Sequence, residues 1–256
     1  MKRNLSWVIA SVISIAGLGS ASAADLAARP YVKAPPAPVA QIYDWTGFYI
    51  GINGGGGSAH KCWDFVGDAF GTLPGPEGCH DATGGTVGGQ IGYRWQVSNW
   101  VFGIEGQGNW ADFKGSNTSL LFGPDFNQSR IDAFGLLTGQ VGYAWNNVLF
   151  YVKGGGAVTG DRYRAFDGFG TLLASANETR WGGTVGAGLE WGFGGWSIGV
   201  EYDHLFMGSR NVSLADPAGA FFETEHISQD ADIGLVRLNY RFNGFGGFSA
   251  PVAARY

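Results

Sequence analysis

His226-Ile227-Ser228-Gln229-Asp230 brings together three residue types that cooperate in acyl-transfer catalysis. A nucleophile, a base and an orienting acid work only when they converge on one reacting atom. At alternate positions these three would line one strand edge instead, so the stretch reads as a polar loop margin and no enzyme is expected. Gly54-Gly55-Gly56-Gly57 is not followed by Lys-Ser or Lys-Thr and opens no helix, so it is not a phosphate-binding loop. Cys62 and Cys79 are the two cysteines, and both fall in one segment rich in Gly, Pro and Asp. In an exported chain they are expected to form a disulfide that stiffens this loop, with free thiols or metal binding as the alternatives. Such a bond contributes about 3 kcal/mol through the unfolded state.

A second set of residues carries charge: Arg94, Lys153, Arg237 and Arg241 against Glu105, Glu190, Glu201 and Asp203, four of each sign. What positions them is a repeat. Gln90-Ile91-Gly92-Tyr93-Arg94-Trp95 has variants ending at Trp145, Trp191 and Phe242, spaced by 50, 46 and 51 residues. Each copy alternates its side chains two by two and ends on an aromatic, as a strand leaving an apolar layer does. Four repeats of one descending and one ascending strand give eight strands. The fold class is therefore all-β: an eight-stranded antiparallel up-and-down transmembrane β-barrel with short periplasmic turns and long external loops.

Strand 1 is expected to begin at Trp45. Tight turns are expected near 96–99, at Asn146-Asn147 and at Gly192–Gly195, and loops near 59–82, 114–128, 160–178 and 208–227. Trp45, Trp95, Trp100, Trp145, Trp191, Trp196 and Phe242 all fall at the short-turn ends, where they would form a periplasmic aromatic girdle. One parity carries Ile50, Val87, Ile104, Ile131, Leu137, Val152, Trp181, Val200 and Leu238 towards lipid. The other carries the eight charges inward, together with Arg130, Asp132 and Arg180. A soluble barrel or sandwich would need the opposite, apolar in and charge out. Balanced charge in so narrow an interior points to mutual neutralisation, with Arg94 facing Glu105, Lys153 facing Glu190, and Glu201 or Asp203 facing Arg237 or Arg241. Eight strands leave a bore that side chains can fill, which favours a plug over an ion path.

The bulk properties agree. Charged residues make up 14% of the chain against a usual share of about 25%, and mean hydropathy is near zero, with one long apolar stretch, at the N-terminus. A helical membrane protein is excluded on that ground, and the net charge of −5 argues against a nucleic-acid partner. Lys2-Arg3, an apolar core from about Leu5 to Leu18 and Ala21-Ser22-Ala23 read as a cleaved export signal over residues 1–23. Residues 24–44, with Lys33-Ala34-Pro35-Pro36-Ala37-Pro38, read as a Pro-rich periplasmic linker. Residues 45–256 form the barrel and a short C-terminal tail.

With the signal, the linker, the opening Trp45-Thr46-Gly47-Phe48-Tyr49-Ile50-Gly51 and the ending Leu238-Asn239-Tyr240-Arg241-Phe242 in place, the chain resembles the small outer-membrane immunogenic proteins of alphaproteobacteria, an OmpA-like porin-family barrel group. The resemblance implies a surface-exposed barrel in the cell outer membrane, without established catalysis or a resident cofactor. The partners it implies are outer-membrane lipid and lipopolysaccharide, the barrel-assembly machinery during insertion, and a host surface or peptidoglycan. A porin of limited conductance is the first alternative. Because some relatives are thought to bind hemin, His60, His80 and His226 in the expected loops are the residues a second, hemin-binding alternative would use, with His204 near the top of strand 7.

Overall fold

The computed structural model describes residues 43–242; the expected export signal, nearly all of the linker and the C-terminal tail lie outside the described residues. Eight strands follow one another: β1 (Gly47–Asp68), β2 (Gly75–Val97), β3 (Trp100–Thr118), β4 (Phe126–Trp145), β5 (Val148–Phe166), β6 (Leu172–Phe193), β7 (Trp196–Ala215) and β8 (Phe221–Phe242). Each pairs antiparallel with the next, and β8 returns to β1, so the barrel is closed and has no free edge.

At one end three two-residue turns join the strands: Ser98-Asn99, Asn146-Asn147 and Gly194-Gly195. The first residue of each takes a left-handed φ, at 57°, 53° and 58° respectively, as tight hairpins require. At the other end the connections are also short, and this corrects the sequence reading. Most of the segments expected as long loops are paired strand, leaving connections of only five to seven residues. Three of these tips share one device. Asp68, Asp167 and Asp216 each use Oδ1 to accept from the backbone N–H groups two and four residues on. Gly71, Gly170 and Gly219 then close the tip with φ near 85° (83°, 86° and 87°).

Strands of 19–23 residues are about twice the 9–11 that a tilted membrane strand needs. The outer face shows where the excess lies. On β3 the outward positions from Trp100 to Trp110, and on β6 those from Trp191 to Trp181, carry only apolar side chains or glycine. At about 3.3 Å per residue and a tilt near 40°, this belt is about 25 Å tall, the height of a membrane barrel's apolar band. Beyond it the same face becomes charged, with Asp112, Lys114, Arg130, Asp132 and Arg162 tied into one chain of ion pairs.

One irregularity on β4, between Ile131 and Ala133, shifts its register against both β3 and β5 and explains why parity reverses on β4 above the belt, while β3 and β5 keep theirs. A bulge adds one residue and turns every later side chain to the other face. Ile131 is consequently inside, while Arg130 and Asp132 are outside, the reverse of the expectation. Inside at this level, Phe113, Ile131, Phe134, Leu136, Leu205, Met207, Ile233 and Leu235 form an apolar layer across the bore. The sequence reading, which expected a polar interior throughout, did not contain it.

If the former loop segments are ladder, their amides are protected. Hydrogen exchange on the micelle-folded chain is expected to show slow exchange at 59–66 and 77–82 and fast exchange only near the tips, such as 69–74 and 167–171. Uniformly fast exchange over 59–82 would contradict the extended barrel.

Candidate functional site

The inward row of the lower barrel builds the site. Glycines decide its shape, because the bore is narrow enough for one side chain to need the space of its neighbour. A Cβ on Gly92 would meet the Tyr49 hydroxyl at 2.5 Å, and one on Gly188 would meet the Tyr151 ring at 2.3 Å. With both absent, Tyr49 and Tyr151 lie across the interior and donate to Glu105 Oε2 at 2.6 Å and Glu201 Oε2 at 2.5 Å.

Around those two phenols the charges close into a network. Arg237 bridges Glu105 and Glu201 and donates to Tyr151 Oη at 2.9 Å. Lys153 Nζ lies 2.7 Å from Glu201 Oε1, 3.1 Å from Asp203 Oδ1 and 3.7 Å from Glu105 Oε1. Arg94 grips Glu190 with two parallel bonds of 2.9 and 2.7 Å, the strongest geometry available to a guanidinium and a carboxylate. Its third contact is Gln140 Oε1 at 3.2 Å, and its plane lies over Tyr49 at 4.6 Å. Ser197 and Asn239 donate to Glu190 at 2.9 and 3.2 Å, and Asn239 passes the chain on through Gln90, Asn53 and Asn109. These charged groups are all buried.

The expected partners are thereby corrected. Arg94 takes Glu190 and not Glu105; Lys153 takes Glu201, Asp203 and Glu105 and not Glu190. Of the pairings offered for Arg237, the one with Glu201 forms. Arg241 reaches no acid among the described residues: it sits at the rim, over the Tyr43 ring at 4.4 Å. The physical reason is radial. Inward side chains meet across the axis, so β2 pairs with β6 and β8 with β3, whereas ladder neighbours of the charges are often glycine, as with Arg94 opposite Gly103 and Glu105 opposite Gly92. Three bases face four acids, and Asp203 is the surplus, with neither oxygen accepting a hydrogen bond.

Trp45 also departs from expectation. It is 2% exposed and lies within the short-turn end, packed on Tyr43 at 4.6 Å and grouped with Val101, Ala144, Leu149 and Tyr151. Gly47, with φ at 138°, turns the chain inward before β1 begins. Trp95, Trp100, Trp145, Trp191, Trp196 and Phe242 face outward at the same end, 38–68% exposed.

A second inner layer lies above the apolar one. Lys61 Nζ donates to Asp161 at 2.6 Å, while Arg180 donates to the Tyr163 hydroxyl and the Ile227 carbonyl. Lys61 and Asp161 lay in segments read as loop, so their inward parity carried no signal.

The histidines do not converge. His80 points inward to Asn117, whereas His60 faces out beside Asp81 and His226 faces out beside Asn211. His60 and His226 are four ladder steps apart on β1 and β8, about 13 Å, and His204 pairs with Asp232 elsewhere. Ser228 and Asp230 follow His226 along one strand, at alternate positions of β8. Cys62 and Cys79 are bonded across β1 and β2 at directly opposed positions, so the bond ties two strands and not a loop.

A closed ring of eight antiparallel strands with an apolar outer belt and charged side chains turned inward defines an outer-membrane β-barrel. The chain belongs to the outer membrane protein beta-barrel domain family, whose profile matches residues 11–242. It is 32% identical over 248 residues to the 31 kDa outer-membrane immunogenic protein of Brucella melitensis biotype 1, covering 90% of this chain and 97% of that one, and equally to the protein of that name from Brucella suis biovar 1. Solved structures of similar shape include the outer membrane protein OprG of Pseudomonas aeruginosa (TM-score 0.49, 14% identity, 78% of this chain and 98% of that one). The outer membrane protease OmpT of Escherichia coli is another (TM-score 0.48, 10% identity, 77% and 97%). The protein is thus an integral β-barrel of the cell outer membrane, related to surface immunogens.

Removing one member of a buried network leaves its partners unpaired, which costs about 3–5 kcal/mol. Arg237→Ala is expected to lower the urea-unfolding free energy by that amount. Arg241→Ala, losing a rim contact over an aromatic ring, is expected to cost about 1 kcal/mol or less. Equal effects would contradict the placement of the two residues.

Proposed function

We propose that the protein is a plugged outer-membrane barrel whose work is structural and surface-exposed, not the conduction of solutes. The observation that carries this is the stacking of closures along one bore. Tyr43 and Trp45 fill the short-turn end, the Arg94–Glu190 and Arg237–Lys153 networks fill the level above, and the apolar layer around Phe113 and Leu205 lies above that. An ion would have to displace a bidentate guanidinium pair and then cross hydrocarbon side chains.

In this reading the short turns face the periplasm, where the outward tryptophans and Phe242 form the interfacial girdle. The long-strand end projects outside the cell. The charged collar of Lys114, Arg130, Arg162 and Arg164, partly neutralised by Asp112 and Asp132, stands immediately above the belt at the height of lipid headgroups. Phosphorylated outer-leaflet lipid such as lipopolysaccharide is the partner whose chemistry fits there.

Planar-bilayer recording tests the plug. The purified, folded protein is expected to give no large, stable conductance steps, and Arg94→Ala with Glu190→Ala is expected to leave the bilayer closed as well, because the apolar layer remains. Large, stable steps from the unaltered protein would sink the reading and favour a porin.

A further inference from the structure

The long-strand end holds a cavity that neither the charged network nor the outer belt uses. It measures about 140 Å³, and its lining includes Phe65, Phe122 and Phe222 together with the acids Asp68, Glu77, Asp125 and Glu223. Phe65 and Phe122 meet edge to face, 5.1 Å between centroids. Glu77 accepts hydrogen bonds from Asn127 and Ser119. The lining includes residues of the β1–β2 and β3–β4 connections, such as Phe70, which is 90% exposed, so solvent reaches it.

One inward step from Glu223 along β8 stands Glu225, in register with Phe65 on β1 and Val212 on β7. Its side chain is fully buried, and neither Oε1 nor Oε2 accepts a hydrogen bond. Such a group is costly to keep ionised unless something positive meets it. Burial first, then Glu77, Glu223 and Asp64, pushes its carboxyl up to about 9. Burial, then Glu77, Asp68 and Asp125, pushes Glu223 up to about 7. The charged groups acting on the pair are thus acids on β1, β2, β8 and the β3–β4 connection. Among the described residues no salt bridge reaches Glu77, Glu223 or Glu225.

We propose that this cavity binds a small organic cation, an alkylammonium group, with its charge against Glu77 and Glu223 and its carbon shell against Phe65, Phe122 and Phe222, while Glu225, one same-face step deeper on β8, adds negative potential from behind the wall. Aromatic faces attract a cation through their quadrupole, and the attraction grows when the group is desolvated. The volume is close to the roughly 150 Å³ that accommodates benzene, which suits a quaternary ammonium head. Calcium would ask for about six to eight oxygen ligands, whereas Asp68 already accepts from Phe70 and Thr72 and Glu77 from Ser119 and Asn127, and phenyl rings share the wall.

The sign of the pH dependence follows from the raised carboxyls. Without a cation the folded mouth holds protons that the unfolded chain releases, so these groups cost stability as pH rises above about 4.5. A bound cation favours their ionised forms, so binding releases protons and tightens as pH rises.

The test is calorimetric titration of the full chain, folded in neutral detergent, with choline and with its uncharged isostere 3,3-dimethyl-1-butanol. Saturable choline binding is expected, about tenfold or more tighter than the alcohol and strengthening about tenfold between pH 6 and pH 8.5. Glu223→Gln, which keeps the shape of the protonated acid, is expected to weaken it about tenfold, and Glu225→Gln, behind the wall, by a smaller factor, each with unchanged heat-modifiable gel mobility. Phe122→Leu, away from the acids, is expected to weaken it as well. No saturable binding, equal binding of the alcohol, full binding by both Gln variants, or preference for calcium over choline would each overturn the proposal.

Discussion

The width of an eight-stranded bore is the constraint from which the rest of this structure follows. Such a ring has room for its own inward side chains and little else. Each inward residue must therefore be satisfied by another, and any charge placed there must find its counter-charge within the bore. The Arg94–Glu190 pair and the Arg237 bridge between Glu105 and Glu201 are the solutions found here. The glycines at 92 and 188 are the space those solutions require, because Tyr49 and Tyr151 must lie flat before they can donate to the two glutamates.

The same constraint divides the molecule along its axis. Within the apolar belt, lipid accepts only hydrocarbon outside, so polarity is confined to the interior. Towards the top of the belt the interior turns apolar, with Phe113, Leu205 and Ile233 filling the bore, and above it water takes the outer face, where Lys114 and Arg162 stand. The bulge at Ile131–Ala133 on β4 and the one at Phe206–Gly208 on β7 lie near this change of solvent and switch which parity faces in on those two strands. The barrel is in effect a membrane protein below and a water-exposed barrel above, joined without a break in the ladder.

This division also accounts for what could be read in the sequence. Strand number, order and the lower parity were legible, because two-residue turns preserve the alternation and the terminal aromatics mark each crossing. Above the belt both faces mix polar, small and aromatic residues, so segments such as 59–82 lose the period-2 signal and resemble loops, although their backbones are paired. Lys61, Asp161, Glu223 and Glu225 were hidden for that reason. The recurring tips, Asp68-Ala-Phe-Gly-Thr72 and Asp167-Gly-Phe-Gly-Thr171, did hold a turn signal, an aspartate three residues before a glycine. Pair identity was illegible for a different reason: adjacency along the chain and ladder suggested Arg94 with Glu105, but the choice is made across the axis. Trp45 was misplaced because Gly47, and not the tryptophan, begins the strand.

The central claim is that the charges inside the bore neutralise one another. A double-mutant cycle on Arg94→Met and Glu190→Gln, read as unfolding free energy in detergent or lipid, addresses that coupling directly. The account predicts that the double variant is destabilised by less than the sum of the two single variants, by about 1–3 kcal/mol, because each single change strands its partner. Additive losses would mean that the two groups do not depend on each other, and would contradict it.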